Sequence, residues 1–336
     1  MQDSTDLAGG APKTVEGRSV IDNFDPRRMP WPDIDEFGRG NSGVDYIHRF
    51  AGAAPGPHVM ITALVHGNEV TGAIGLDWLL RQGPEPERGT LSVGFVNVAA
   101  YKAIDFDRPY NNRFVDEDFN RLWDAATLDG PRTSVELTRA REVRPYMDTV
   151  DHLLDLHSMS MSPDAVSMAG PLDKGRRLAE RIGIPDTVIM DTGHAAGRRM
   201  RDYAAFGDPD QDNAAVLIET GHHFDPAGGV LAKHAIWRFL QVFEMTGGVS
   251  PPEEPYPGAA TAQRVIEVTG PYTVKTDGFR YAAAYQGLEV IASEDEIIGY
   301  DGDEPVHPPY DNCVLVMPKR EPKPGETAVR FGRYRT

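Results

Sequence analysis

The sequence predicts an α/β sheet domain with helices on its faces, followed by a small all-β domain. Two patterns carry that expectation. Short β-favouring apolar runs alternate with amphipathic helical stretches through the first three quarters of the chain. After a Pro-rich break at 248–258 (GVSPPEEPYPG), the pattern becomes short Val/Ile/Tyr-rich runs split by Gly, Asp and Pro. The length of 336 residues and the 40% apolar content fit a sizeable core with a smaller companion domain.

The elements follow in order. Residues 1–30 are polar and punctuated by Gly and Pro, and read as a loosely held N-terminal arm. A catalytic domain is expected over 31–250. Its first strand runs from His58 to Val65 and stops at the polar tetrad HGNE, 66–69. The stretch VTGAIGLDWLLRQ places Val70, Ile74, Leu76, Trp78, Leu79 and Leu80 largely on one helical face, and Gly83-Pro84 ends it. Further strands are expected over 91–97, over 150–156 ending at His157-Ser158, over 187–190, and over 215–218 ending at Glu219. Helices are expected over 173–183 and 227–245. A β-rich domain is expected over 251–336, from the runs RVIEVTG, PYTVKT, LEVIAS and NCVLVMP.

Composition excludes several partners. With 34 Lys+Arg against 51 Asp+Glu the formal charge is −17, which disfavours a phosphate-tracking surface, so neither nucleic acid nor an anionic membrane is expected. No stretch approaches the roughly 20 apolar residues of a membrane helix, and the start MQDSTDLAGG lacks the pattern of a secretory signal. A lone cysteine, Cys313, allows no internal disulfide and fits a reducing cytoplasm. Self-association of identical chains stays open.

Chemistry enters at the strand ends, where open α/β sheets place their sites. His66 and Glu69 form an H-x-x-E pair at a strand-to-helix turn, spaced so that imidazole and carboxylate can converge on one ion. His157, at another strand end, supplies a third donor. Two His and one carboxylate form a catalytic zinc set with one position left for water. Each piece alone is weak, because isolated H-x-x-E pairs arise by chance and a single strand-end His is commonly a polar cap. The joint pattern carries the reading. Glu219, directly after the run Ala-Val-Leu-Ile, suits the base that such hydrolysis needs, and partial burial would raise its pKa. Between the ligands lies RFVDEDFNR, 113–121, whose guanidinium groups suit a carboxylate or a developing oxyanion.

HGNE after a strand, RFVDEDFNRLW, DLHS and IETG, in this order, resemble the succinylglutamate desuccinylase/aspartoacylase family of the zinc carboxypeptidase superfamily, and most of all its bacterial deacylase branch. The resemblance spans roughly 45–320. It implies a three-layer α/β/α zinc-carboxypeptidase-like core with a mixed sheet, and a C-terminal β-domain packed over the cleft. It implies one Zn2+ per chain on His66, Glu69 and His157, with Glu219 activating the attacking water and Arg113 polarising the scissile carbonyl. Asn120 and Arg121 are implied to hold the substrate carboxylate. The expected reaction is hydrolysis of a small N-acyl amino acid, or a related N-acyl amine, to a free amine and a short carboxylate. The rival readings are a zinc carboxypeptidase acting on peptides and a zinc-binding homologue without catalysis.

Two positions depart from the family pattern. The arginine expected shortly before the catalytic Glu has no secure counterpart among Arg198, Arg199 and Arg201, and the pocket tyrosine has only Tyr310 as a weak candidate. Of the remaining polar residues, His222 and His223 suit pocket lining better than ligation, and Asp155 shares the strand face of His157 and suits its support. Ser158 and Ser160 lack the G-x-S-x-G context of a nucleophile. His194 lies in a Gly-rich stretch, GHAAGRRMRDY, that reads equally as a lid or a loop.

Overall fold

The computed structural model describes residues 24–161, 164–193, 196–258 and 262–335, together with β1 (Thr14–Val15) and β2 (Arg18–Ser19), which pair antiparallel. Most of the expected N-terminal arm and His194 lie outside the described residues. The chain divides into two compact units, one comprising Asp25–Ser160 and Ala165–Gln263, the other built mainly of Arg264–Thr336.

The larger unit holds β3 (Ile47–Ala51), β4 (Ala54–Ala63), α1 (Val70–Gln82), β5 (Arg88–Phe95), α2 (Val98–Lys102), α3 (Ala125–Leu128), α4 (Val135–Met147), β6 (His152–Met159), β7 (Val166–Met168), α5 (Asp173–Ile182), β8 (Thr187–Met190), β9 (Ala214–His222) and α6 (Pro226–Val242). Its sheet runs β3-β5-β4-β6-β9-β7-β8. The pairs β5/β4, β4/β6, β6/β9 and β7/β8 are parallel, whereas β3/β5 and β7/β9 are antiparallel, so the sheet is mixed. The central strands are buried on both faces and read accordingly as continuous apolar runs.

Helices α1 and α6 cover one face. Glycines allow this close approach: a Cβ on Gly72 would lie 2.9 Å from Leu156 Cβ, and one on Gly75 would lie 2.9 Å from Ile236 Cδ1. Asp225 caps α6 by accepting from the Ala227 N–H, and Pro226 occupies its first turn. On the other face, Leu137, Ala140, Val143 and Met147 of α4 pack with Met60, Leu153, Phe119 and Trp123. The result is the expected three-layer α/β/α core.

The structure extends two strands past their expected ends. β6 continues to Met159 and β9 to His222, because His157 pairs with Glu219 and Met159 with His222. Helix α4, which the apolar pattern did not suggest, begins at Ser134, whose hydroxyl accepts from the Leu137 N–H at 2.9 Å.

The second unit contains β10 (Arg264–Thr273), β11 (Phe279–Tyr281), β12 (Val290–Ile291), β13 (Gly299–Asp301), β14 (Glu304–Val306), β15 (Cys313–Val316) and β16 (Thr327–Tyr334). Its strands pair antiparallel in the orders β12-β15-β16-β10 and β11-β13-β14. Ile291, Ile298, Cys313, Leu315 and Phe331 form its core. No described helix is long and apolar enough to cross a membrane.

Candidate active site

Three strands deliver the site. After β4 the chain takes a left-handed conformation at Leu64 (φ 59°), one that non-Gly residues adopt reluctantly, and His66 follows two residues later beyond the C-terminal end of this interior strand. Gly67 then passes so close to α2 that a Cβ would stand 2.2 Å from the Ala100 carbonyl carbon. Glu69 follows at the mouth of α1, and its side chain caps no helix N–H.

His66, Glu69 and His157 are almost wholly buried, and one donor atom from each lies within 4.8 Å of the others. His66 Nδ1 meets Glu69 Oε1 at 2.7 Å, and His157 Nδ1 meets Glu69 Oε2 at 2.8 Å. The outer nitrogen of each ring faces an aspartate: His66 Nε2 to Asp118 Oδ1 at 3.1 Å, and His157 Nε2 to Asp155 Oδ2 at 2.9 Å. Thr62 donates to the other oxygen of Asp155 at 2.7 Å. A carboxylate behind each imidazole fixes the tautomer that leaves Nδ1 as the inward donor.

Electrostatics agrees with the geometry. Burial pushes the Glu69 carboxyl up, but the charges and hydrogen bonds of His66 and His157 override it and hold the group well below the usual range. Burial pushes the His157 ring down, yet Asp155 and Glu69 override that and hold it well above. Cation binding here would displace the proton that His157 holds against Glu69.

Glu219 projects from β9 beside His157. Its Oε2 is buried and has no hydrogen-bond partner among the described residues. Burial, followed by the charge of Glu69, pushes its carboxyl up to about 8 against the opposing pull of His157, Arg113 and Arg199. An orphaned carboxyl that titrates near neutrality beside a His/Glu/His trio suits a group that exchanges a proton with water, accepting it in its ionised form and returning it in its protonated form. The donor set and this orphan together fit a zinc ion with a water.

Arg113 is part-exposed; its Nη1 lies 3.5 Å from Glu69 Oε1 and its Nη2 3.2 Å from Asp118 Oδ2. Asn120 is buried and accepts from the Met200 N–H at 2.8 Å through Oδ1, leaving its Nδ2 amide to donate elsewhere. Arg121 Nη1 donates to the Asn120 carbonyl at 2.6 Å. The whole 113–121 segment is braced by α4. Buried Glu136 accepts from the backbone N–H of Val115, Asp116 and Glu117 at 2.7, 3.0 and 3.2 Å. The structure gathers His66, Glu69, His157, Glu219 and Arg113, and links Asn120 and Arg121 to them through Asp118.

Asp118 and Glu136 were not foreseen. The signal for Asp118 was its place between Arg113 and Asn120, but nothing local separates it from its acidic neighbours. Glu136 carried no local signal at all.

Several of the remaining polar residues are engaged, although Arg201 keeps Nε and Nη2 without a hydrogen bond among the described residues. Arg199 is buried and forms a two-pronged pair with Asp191 at 3.0 and 2.9 Å; Arg201 is buried beside Asp202 at 2.8 Å. A cavity of about 320 Å3 reaches Arg198, Arg201 and Ala215, the last four residues before Glu219 on β9. His222 accepts from the Phe224 N–H through Nδ1 at 3.2 Å and faces the Tyr110 hydroxyl through Nε2 at 3.1 Å. Ser158 meets His223 Nδ1 at 2.8 Å. Tyr310 belongs to the second unit, where its hydroxyl pairs with Thr269 at 2.6 Å and its ring lies under Arg333.

The catalytic-domain model of the succinylglutamate desuccinylase/aspartoacylase family matches residues 55–230. No curated protein matches the chain. Among solved structures, the fold is similar to succinylglutamate desuccinylase from Vibrio cholerae, with a TM-score of 0.63 at 15% identity over 87% of this chain and 86% of that one. A succinylglutamate desuccinylase/aspartoacylase from Rhodobacter sphaeroides gives 0.61 at 16% identity, over 86% and 89%. The product-bound ectoine utilization protein EutE of Ruegeria pomeroyi gives 0.55 at 15% identity, over 85% and 87%.

Proposed function

The chain belongs to the succinylglutamate desuccinylase/aspartoacylase family, and from that premise we propose that it is a zinc-dependent amidohydrolase that removes a short acyl group from a small N-acyl amino acid or related N-acyl amine. The observation that supports this reading most strongly is the meeting of both His Nδ1 atoms on Glu69 beside the unpartnered Glu219 Oε2.

His66, Glu69 and His157 would hold the zinc, which when bound polarises a carbonyl and makes water more acidic. Glu219 accepts a proton from the attacking water at Oε2, and the buried setting that raises its pKa also equips it to return that proton. The water oxygen bonds to the acyl carbon, the C–N bond breaks, and Glu219 delivers the proton to the departing nitrogen. A free amine and a short carboxylate result, and the atoms of one water are consumed. Arg113, already facing the trio, offsets negative charge developing on the carbonyl oxygen. Arg121 and the Asn120 amide hold the carboxylate of the amino-acid part, one by charge and one by a directed hydrogen bond.

A zinc-loaded screen tests the reading. N-acyl amino acids varying in acyl chain and side chain are compared with a blocked dipeptide, with amine release as the readout. Release from at least one N-acyl amino acid, well above that from the dipeptide, is the expected result. Preferential dipeptide cleavage would instead make the protein a carboxypeptidase, and stoichiometric zinc with no hydrolysis would make it a binding protein.

A further inference from the structure

His223 stands four residues after Glu219, just beyond β9, and is buried. Its backbone N–H donates to the Met159 carbonyl at 2.9 Å, and its Nδ1 meets the Ser158 hydroxyl at 2.8 Å. Ser158 in turn donates its backbone N–H to Glu69 Oε2 at 3.3 Å. The ring is thus fixed beside the trio, within electrostatic reach of Glu69, Arg113 and His66. Its Nε2 has no hydrogen-bond partner among the described residues. Unlike Glu219 Oε2, that nitrogen is not sealed from solvent, so it is open to a ligand atom.

The surroundings of this ring differ from those of the carboxylate-holding residues. Asn120 and Arg121 rest on the segment 197–200: Asn120 bonds Met200, and a Cβ on Gly197 would stand 2.3 Å from the Arg121 carbonyl oxygen. His223 rests instead on Ser158 and Met159, with the Tyr110 and Phe224 rings 6.2 and 5.8 Å away, centre to centre. A substrate whose carboxylate lies on the first wall and whose carbonyl faces Arg113 leaves its acyl group toward the second. Tyr110, Ser158, Met159 and Phe224 on that second wall carry no charge near pH 7. His222 Nδ1 accepts a backbone N–H and so carries no proton, which makes the ring neutral. Burial pushes His223 down to about 3, so it too is neutral near pH 7. The Arg113 guanidinium, which acts electrostatically on His223, is shared between Glu69 and Asp118. A second carboxylate placed here would lose its water without gaining a cation.

We propose that His223 is the specificity-determining residue of the acyl subsite, and that this subsite takes a short uncharged acyl group in preference to one carrying a carboxylate. The inference rests on the amidohydrolase reading above. Its test compares kcat/KM for the N-acetyl and N-succinyl derivatives of one amino acid in wild type, His223→Gln, His223→Ala and His223→Arg, with zinc content and thermal melting measured for each. Wild type should favour acetyl at least tenfold. Gln, uncharged and able to hydrogen-bond, should keep that ratio within about threefold. Ala, which opens the wall, and Arg, which supplies a cation, should each lower it at least tenfold while zinc is retained. If Arg does not fold, the Ala and Gln pair decides. A wild-type preference for succinyl, or a ratio unmoved in Ala and Arg, overturns the inference while leaving the amidohydrolase standing. Failure of wild type to release amine from any N-acyl amino acid overturns both.

Discussion

Asp118 offers the sharpest structural prediction. Its Oδ1 accepts from His66 Nε2 at 3.1 Å and from the Asn120 N–H at 2.9 Å, while its Oδ2 holds Arg113 Nη2 at 3.2 Å. Burial pushes its carboxyl up, but the charges of His66, Arg113 and Arg121 override that and keep it ionised far below the usual range. Asp118→Ala removes the acceptor that orients His66. Loss of such a carboxylate behind a metal-binding His typically weakens metal affinity 10–100-fold, or about 1.4–2.7 kcal/mol. Asp155→Ala should weaken zinc at least as much, because Asp155 is fully buried, supports His157 at 2.9 Å and also anchors Thr62. Asp118→Asn keeps an oxygen for His66 and should cost less than about tenfold, while loosening Arg113. Competition against a chromophoric chelator at fixed pH measures each affinity, with circular dichroism as the folding control. If folded Asp118→Ala binds zinc as tightly as wild type, His66 is not oriented through Nε2 and the trio is not organised as argued.

Three further outcomes are expected. Glu136→Ala removes the carboxylate that three loop N–H groups share, so kcat/KM should fall at least about tenfold, since one misplaced catalytic group costs up to ~100-fold, with zinc content little changed; unchanged kinetics would show that the brace is unimportant. Gly67→Ala puts a methyl 2.2 Å from Ala100, and thermal melting should report destabilisation of about 1–3 kcal/mol together with weaker zinc retention. In the metal-free protein Glu219 lies near 8, against roughly 4.3 in an unfolded chain. Its folded value is the higher one, so the stability it contributes is fully present below the unfolded value and is lost as pH rises through about 8. Melting in chelator should therefore fall between pH 5 and pH 9 more steeply for wild type than for Glu219→Gln, and parallel profiles would contradict the burial of an ionisable Glu219.

Much of this arrangement was legible in the sequence, for physical reasons that particular residues make plain. The apolar runs before His66 and Glu219 are strands buried on both faces, which need no alternation and so stand out against their polar ends. The ends themselves misled. Thr220, Gly221 and His222 follow the apolar run as polar residues, yet they stay in the strand because β6 continues beside them, with Met159 opposite His222, and Thr220 Oγ1 donates to the His157 carbonyl at 2.9 Å. Helix α4 was hidden by its charges and by Pro145, although Ser134 and the spacing of Leu137, Ala140, Val143 and Met147 held the signal. Asp118 and Glu136 were out of reach for a different reason. Which carboxylate of an acidic run turns inward, and which helix later receives a loop, depends on contacts across 52 positions for Asp118 and His66 and up to 21 for Glu136 and its loop.

The most direct measurement is amide hydrolysis by wild type and Glu219→Ala at matched zinc content, on the best N-acyl amino acid of the screen. Glu219→Ala should bind zinc as wild type does and lose at least about a thousandfold in kcat, more than the loss of a minor acid–base contributor and consistent with removal of the one proton carrier. A zinc-loaded Glu219→Ala protein that still turns over within tenfold of wild type would contradict the central claim.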